Sequence, residues 1–269
     1  QWPFIRTTSV GKWIAAGQRF FESVDEILVQ QMELTPETLR GIGDYARFEQ
    51  RPDIHELVYI KPEVLESVSG TPVILIAFMA PSAGGKDTML KIALSRISEF
   101  ATKIITHTTR EPRGDGSDNG QYHFTKADEF QQSVDAGEFA EHLPPGQQGE
   151  HYYGTMRRDI EDAVREGKRI IIWRGEFIGW KELKYWMKRN HPEIPCLSVF
   201  TVPKAPLSKL MEWIKGKRGD IASEHWRQSK ARMEVIAGGS ADMFIVNPIE
   251  ESGTPSQATE AFIKLLTYS

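Results

Sequence analysis

Apolar positions recur along this chain in two rhythms, and the change between them falls near residue 71. Before it, Trp13, Ile14, Phe20, Phe21, Val24, Ile27, Leu28 and Met32 return at the spacing of one helix face. Thr35-Pro36-Glu37 then reads as an N-cap, a proline at the first helical position and an early acid. A second helix is expected from there to about Glu49, where Arg51-Pro52 breaks it, and Pro62 is expected to open a short helix ending near Gly70. Residues 1–70 are thus expected to form a helical extension that packs on the main domain or on a second copy of the chain, giving a homodimer through these N-terminal helices.

From Thr71 the pattern alternates. Apolar runs at 72–79, 103–106, 169–173, 196–202 and 242–246 predict strands, and helical patterns follow at 86–99, 177–190, 205–217, 221–237 and 255–267. Such alternation implies an α/β fold, a mostly parallel sheet with helices on both faces, whose ligands lie beyond the carboxyl ends of the strands. Residues 107–157 interrupt the rhythm with glycines, arginines, aromatics and short alternating runs. They predict a small inserted α+β lobe with one helix, capped by Thr125 and stopped by Gly137.

The first strand leads into Ala80-Pro81-Ser82-Ala83-Gly84-Gly85-Lys86-Asp87-Thr88. Strand, small-residue loop, lysine and helix is the order that aims backbone N–H groups and positive charge at a phosphate, which points to a nucleoside triphosphate. The strict pattern is G-x-x-x-x-G-K-[ST]. Here Ala80 stands for the first glycine and Asp87 for the hydroxyl residue that holds magnesium, with Thr88 one position late. A carboxylate also ligates magnesium, so Asp87 is a candidate metal ligand. Without a metal between them it would repel the phosphate by about 4 kcal/mol at roughly 4 Å in a surface-like dielectric. The plainer alternative is a Gly-Gly turn before an ordinary helix, with Lys86 a solvated charge.

Composition narrows the setting. The chain has 269 residues, 40% of them hydrophobic, and a net charge of −4, which argues against a nucleic-acid partner. The single cysteine, Cys196, excludes an internal disulfide and a cysteine-based zinc site and reads as a small buried hydrophobe. No apolar stretch approaches the ~20 residues of a membrane span. No signal peptide is visible. A cytoplasmic protein without a membrane partner is expected. The seven histidines show no i, i+4 metal pair and read as structural or surface residues.

The inserted lobe holds a second constellation. Thr106-His-Thr-Thr-Arg110-Glu-Pro-Arg113 is followed by Gly120-Gln-Tyr122-His-Phe, Gly137-Glu-Phe-Ala-Glu141 and His151-Tyr-Tyr153-Gly-Thr155. Two arginines can clamp a phosphate, with tyrosine hydroxyls completing the clamp, and a carboxylate can accept two parallel N–H bonds such as the edge of guanine offers. In this order these segments resemble the guanylate kinases. That family shows G-P-S-G-x-G-K-S-T, S-x-T-T-R-x-P-R, D-Y-x-F, G-E-F-x-E and N-Y-Y-G-T, and the resemblance runs over residues 72 to about 267.

The resemblance implies a P-loop NTPase domain over 71–269, with a nucleotide-acceptor lobe near 107–157 and a lid near 205–237. It implies that Arg110, Arg113, Tyr122 and Tyr153 hold the acceptor phosphate, and that Glu141, Thr106 and Thr155 read guanine, with Glu176 beside them. Ser82, Ala83, Gly84, Gly85, Lys86, Asp87 and Thr88 would carry ATP phosphates, Asn247 would lie near adenine, and Lys86, Arg218 and Arg232 would neutralise the transfer. The implied activity is phosphoryl transfer from Mg-ATP to GMP, with ATP and Mg2+ as cofactors. The family's acidic strand end, L-D-x-D-x-Q-G, reads Ile172-Trp-Arg174-Gly-Glu176-Phe-Ile-Gly179 here, keeping one carboxylate and reversing a charge at Arg174. The altered loop and the extension leave two alternatives: a guanylate-kinase-like binding module with weak or no catalysis, and a kinase for another phosphorylated acceptor such as a ribose bisphosphate.

Overall fold

The computed structural model describes residues 35–39, 43–64, 70–81, 84–112, 114, 118, 120–145, 150–206, 209, 212, 234–235, 237–248 and 256–268. The helix expected over residues 13–32 and nearly all of the expected lid, with Arg218 and Arg232, lie outside them, as do Ser82, Ala83 and Arg113.

Eleven strands form two sheets among the described residues. They are β1 (Glu49–Gln50), β2 (Val58–Ile60), β3 (Ile74–Met79), β4 (Ala101–Lys103), β5 (Thr106–Thr108), β6 (Tyr122–Phe124), β7 (Phe139–Leu143), β8 (Tyr153–Met156), β9 (Ile170–Arg174), β10 (Cys196–Lys204) and β11 (Met243–Pro248). The main sheet runs β1-β2-β11-β10-β3-β9-β4, and the lobe sheet runs β6-β5-β8-β7. From β11 to β4 every neighbouring pair is parallel, so β3, β9, β10 and β11 deliver their carboxyl ends to one side. The lobe is inserted between β4 and β9.

The central strands are continuous apolar runs because both of their faces are covered. Leu75, Ala77 and Met79 pack into one core with Trp173, Phe200 and Val202, while Ile76 and Phe78 pack into the other with Ile172, Val199 and Ile245. The second core is closed by α2 (Lys86–Ile97), through Met89, Leu90, Ala93 and Ile97, and by α6 (Ser256–Thr267), whose Phe262 stacks on Phe78 at 4.2 Å. The first is closed by α4 (Arg157–Arg165), through Ile160 and Ala163, and by α5 (Phe177–Asn190), through Trp180, Leu183 and Met187. No helix among the described residues is long and apolar enough to cross a membrane.

Three expectations differ from the structure. The run 103–106 is not one strand. It crosses from β4, at the edge of the main sheet, to β5 in the lobe, with Ile104 N–H still bonded to Ile172 O. The helix expected to reach Glu49 stops early: α1 spans Pro36–Leu39, capped by Thr35 as expected, and a 3-10 turn covers Gly43–Arg47. Strands follow, because the β-branched and aromatic run Val58-Tyr59-Ile60 pairs antiparallel with β11 and buries all three side chains. Tyr59 stacks on Phe244 at 4.5 Å, and Tyr45 donates its hydroxyl to Val235 O at 2.8 Å. In the lobe, α3 (Ala127–Asp135) has Lys126, not Thr125, at its N-cap, while Gly137 follows its end with φ 69° as expected.

Candidate active site

Strand β7 buries Phe139, Glu141 and Leu143, with a β-bulge between Phe139 and Glu141 that turns these two to opposite faces of the lobe sheet. Phe130 of α3 stacks on Phe139 at 4.4 Å on the face away from Glu141. Glu141, 4% exposed, is turned toward Thr155 and the main domain. Thr155 lies opposite it on β8 and donates its hydroxyl to Glu141 Oε1 at 2.6 Å. Trp173, near the end of β9, donates its indole N–H to the same hydroxyl at 2.8 Å, which fixes the threonine proton on the carboxylate. Behind the carboxylate runs α5 with Gly179, where a Cβ would stand 2.9 Å from Glu141 Oε2. Burial pushes the Glu141 carboxyl up to about 8 against the Thr155 bond, so it holds a proton at neutral pH until partners for its anion arrive.

A cleft joins Thr106, Tyr122, Glu141, Tyr153 and Glu176 to Lys86. Tyr122 and Tyr153 face each other with ring centroids 6.0 Å apart. The Arg110 guanidinium lies over the Tyr122 ring at 5.4 Å, held by Asp118 Oδ1 at 2.8 Å and by its neighbour's carbonyl, Glu111 O, at 2.8 Å. Burial raises the Tyr153 hydroxyl above its ordinary value, while Arg110 and Thr108 oppose that rise. Six of the residues expected around the acceptor, Thr106, Arg110, Tyr122, Glu141, Tyr153 and Thr155, thus come together, with Glu176 at the cleft's other side.

The phosphate loop closes the opposite end. Gly84 N–H bonds to Pro81 O at 2.9 Å, and Gly85 takes φ 83°, a left-handed turn that starts α2 at Lys86. Asn247, 6% exposed at the end of β11, donates its amide to Gly84 O at 3.2 Å and braces this loop. Burial lowers the Lys86 ammonium from its ordinary value; Asp87 works against that and Arg174 adds to it. Thr88 is exposed on the first turn of α2.

Four residues of this site escaped the sequence reading: Trp173, Gly179, Asp118 and Lys103. Lys103 donates to Gly120 O and Gln121 Oε1 and is lowered to about 8 by burial and then by the charge of Arg174. The pairing of Asp87 with Arg174 also went unread, although both were visible as departures of opposite charge from one pattern. Arg174 Nη1 bonds Asp87 Oδ1 at 2.6 Å.

A family model described as guanylate kinase matches residues 69–248. The chain belongs to the guanylate kinase family. Curated guanylate kinases are similar to it as well. That of Idiomarina loihiensis is 31% identical over 185 residues, covering 67% of this chain and 82% of its own. That of Paraburkholderia xenovorans is 34% identical over 175 residues, covering 64% and 72%. A crystal structure of guanylate kinase from Anaplasma phagocytophilum aligns with TM-score 0.48 and 20% identity, over 74% of this chain and 86% of that one.

A guanylate kinase with the strict loop holds magnesium at the hydroxyl after the lysine. In this chain the carboxylate expected on that metal is engaged by a guanidinium instead, and the strand end opposite, Arg174, is itself a cation. A divalent ion on Asp87 would meet the charge of Arg174 as well, and at equal distances of roughly 4 Å in a surface-like dielectric the guanidinium's repulsion, about 8 kcal/mol, offsets the carboxylate's attraction. The Asp87–Arg174 pair thus offers a magnesium ion little net charge.

Proposed function

We infer that this chain is a nucleoside monophosphate kinase that moves the γ-phosphoryl group of ATP to GMP, giving ADP and GDP. An oxygen of the GMP phosphate forms the new bond to phosphorus, the bond to the β–γ bridging oxygen breaks, and ADP leaves with that electron pair. Such a transfer asks the protein for alignment and charge neutralisation rather than covalent chemistry. The observation that carries the reading is a single cleft with a buried, hydroxyl-oriented carboxylate at one end, an arginine–tyrosine cluster along it, and the lysine of a phosphate loop at the other.

In this reading Glu141, with Thr155 and Thr106, accepts the N–H edge of guanine. Arg110, Tyr122 and Tyr153 take the GMP phosphate, with Arg113 beside them. Lys86 and the backbone N–H groups at 84–88 hold the ATP phosphates, and Arg218 and Arg232 close over them from the lid. ATP enters with the magnesium ion that accompanies it in solution, a part of the substrate. Closure of lid and lobe keeps water from taking the phosphoryl group. A cytoplasmic setting, where both nucleotides are found, and a homodimer through the N-terminal extension of residues 1–70 belong to the same proposal; sedimentation velocity reads the dimer.

The test is ADP release in a coupled assay with ATP and, in turn, GMP, AMP, CMP and a ribose bisphosphate. Turnover with GMP well above the others is expected. GMP binding without turnover would leave a binding module, and preference for the bisphosphate would move the acceptor.

A further inference from the structure

Arg174 ends β9 at the floor of the cleft and is 7% exposed. Its guanidinium reaches toward both halves of the site. One nitrogen bonds Asp87 Oδ1, on the first turn of the helix that follows the phosphate loop, at 2.6 Å. Its face lies 4.5 Å from the centroid of the Tyr122 ring in the acceptor lobe. It therefore stands between the place where donor phosphates would lie and the place where the acceptor phosphate would lie. Lys86 lines the same cleft, and the carboxylates acting on it are Asp87, Glu176 and Glu234.

A buried guanidinium is costly unless its planar fork of donors is met by acceptors. Asp87 is itself mostly solvent-exposed, so it is a weak counter-charge, and Tyr122, which meets the guanidinium with its ring and its hydroxyl, is neutral. A phosphate offers oxygens in the paired geometry that a guanidinium fits.

We infer that Arg174 supplies, as a fixed part of the chain, the positive charge that a hydroxyl-held magnesium ion supplies in a strict phosphate loop, with Asp87 as the arm that holds it over the transfer point. This rests on the donor–acceptor reading above. It makes donor binding independent of a divalent cation. Asp87, which would repel phosphate as a bare carboxylate, becomes the residue that positions a cation.

The experiment is calorimetric titration of the full chain with a non-hydrolysable ATP analogue, once in EDTA and once in magnesium, with GMP titrated in parallel. Analogue affinity in EDTA is expected to stay within about tenfold of that in magnesium, less than the loss of one charge-assisted bond would give. A larger loss in EDTA overturns the inference and leaves the kinase reading standing. No binding of analogue or GMP under either condition overturns both. Arg174→Met is expected to weaken analogue binding in EDTA by about tenfold or more, and Arg174→Lys to restore most of it. Unchanged binding by an Arg174→Met protein that still melts cooperatively also overturns the inference. If that variant does not fold, the EDTA comparison on the unaltered chain decides.

Discussion

The Glu141 carboxyl, raised to about 8 from an ordinary 4.5, ties guanine recognition to pH. The folded state holds an extra proton between those values. The group's contribution to stability is fully present below 4.5 and is lost as pH rises through about 8. Two N–H donors from a guanine favour the anion, so GMP binding at pH 7 should release close to one proton, read as a buffer-dependent heat, and apparent KM for GMP should fall as pH rises toward 8. Glu141→Gln should abolish the proton release and weaken GMP binding by about tenfold or more, since an amide offers one acceptor and an unwanted donor. Lys86→Met should lower turnover by about 100-fold or more in the coupled assay; unchanged turnover would remove Lys86 from the transfer. The anion-binding residues were legible because arginine, tyrosine and glutamate in fixed order have few other uses together. Trp173 was not, because an indole in an apolar strand reads as core until its N–H is seen on Thr155. Arg174 was visible as a reversed charge, but its meaning needs the Asp87 side chain, 87 positions away in sequence.

Helix α5 shows how an element serves the site. Alanine at Gly179 would favour the helix by about 1 kcal/mol on propensity alone. Its methyl would stand 2.9 Å from Glu141 Oε2, so Gly179→Ala should raise KM for GMP about tenfold or more with little change in melting temperature. A large drop in melting temperature instead would mark the glycine as structural. Strands and helices from Ile74 onward were legible because both faces of a parallel sheet demand apolar runs and each covering helix repeats its buried positions. Two of the departures share one cause. The strands at 49–60 and the split near Ile104 depend on which sheet edge is free to pair, a long-range fact that local spacing does not carry. Helix α4 was missed because RRDIEDAVR buries only Ile160 and Ala163 in a polar run.

At the scale of the molecule, the described segment from Tyr45 to Ile60 belongs to the main core. Val58, Tyr59 and Ile60 lie against β11, and Phe48 and Tyr45 pack around Phe244. A chain beginning at Thr71 should lose on the order of 5 kcal/mol from these buried side chains, seen as a lower urea midpoint. An unchanged midpoint would show the segment to be an ornament on an independent domain. The margins of the main sheet carry a further consequence. Among the described residues the sheet finishes one side with β1, two exposed residues, and the other with β4, three residues, so these edges offer little unpaired backbone to a neighbouring molecule. Without β2 that protection would vanish on one side, baring Met243, Phe244 and Ile245 of β11, the three residues that β2 pairs. A shortened form should therefore fail first by sticking to itself, strand against strand, growing turbid at concentrations where the whole chain stays clear.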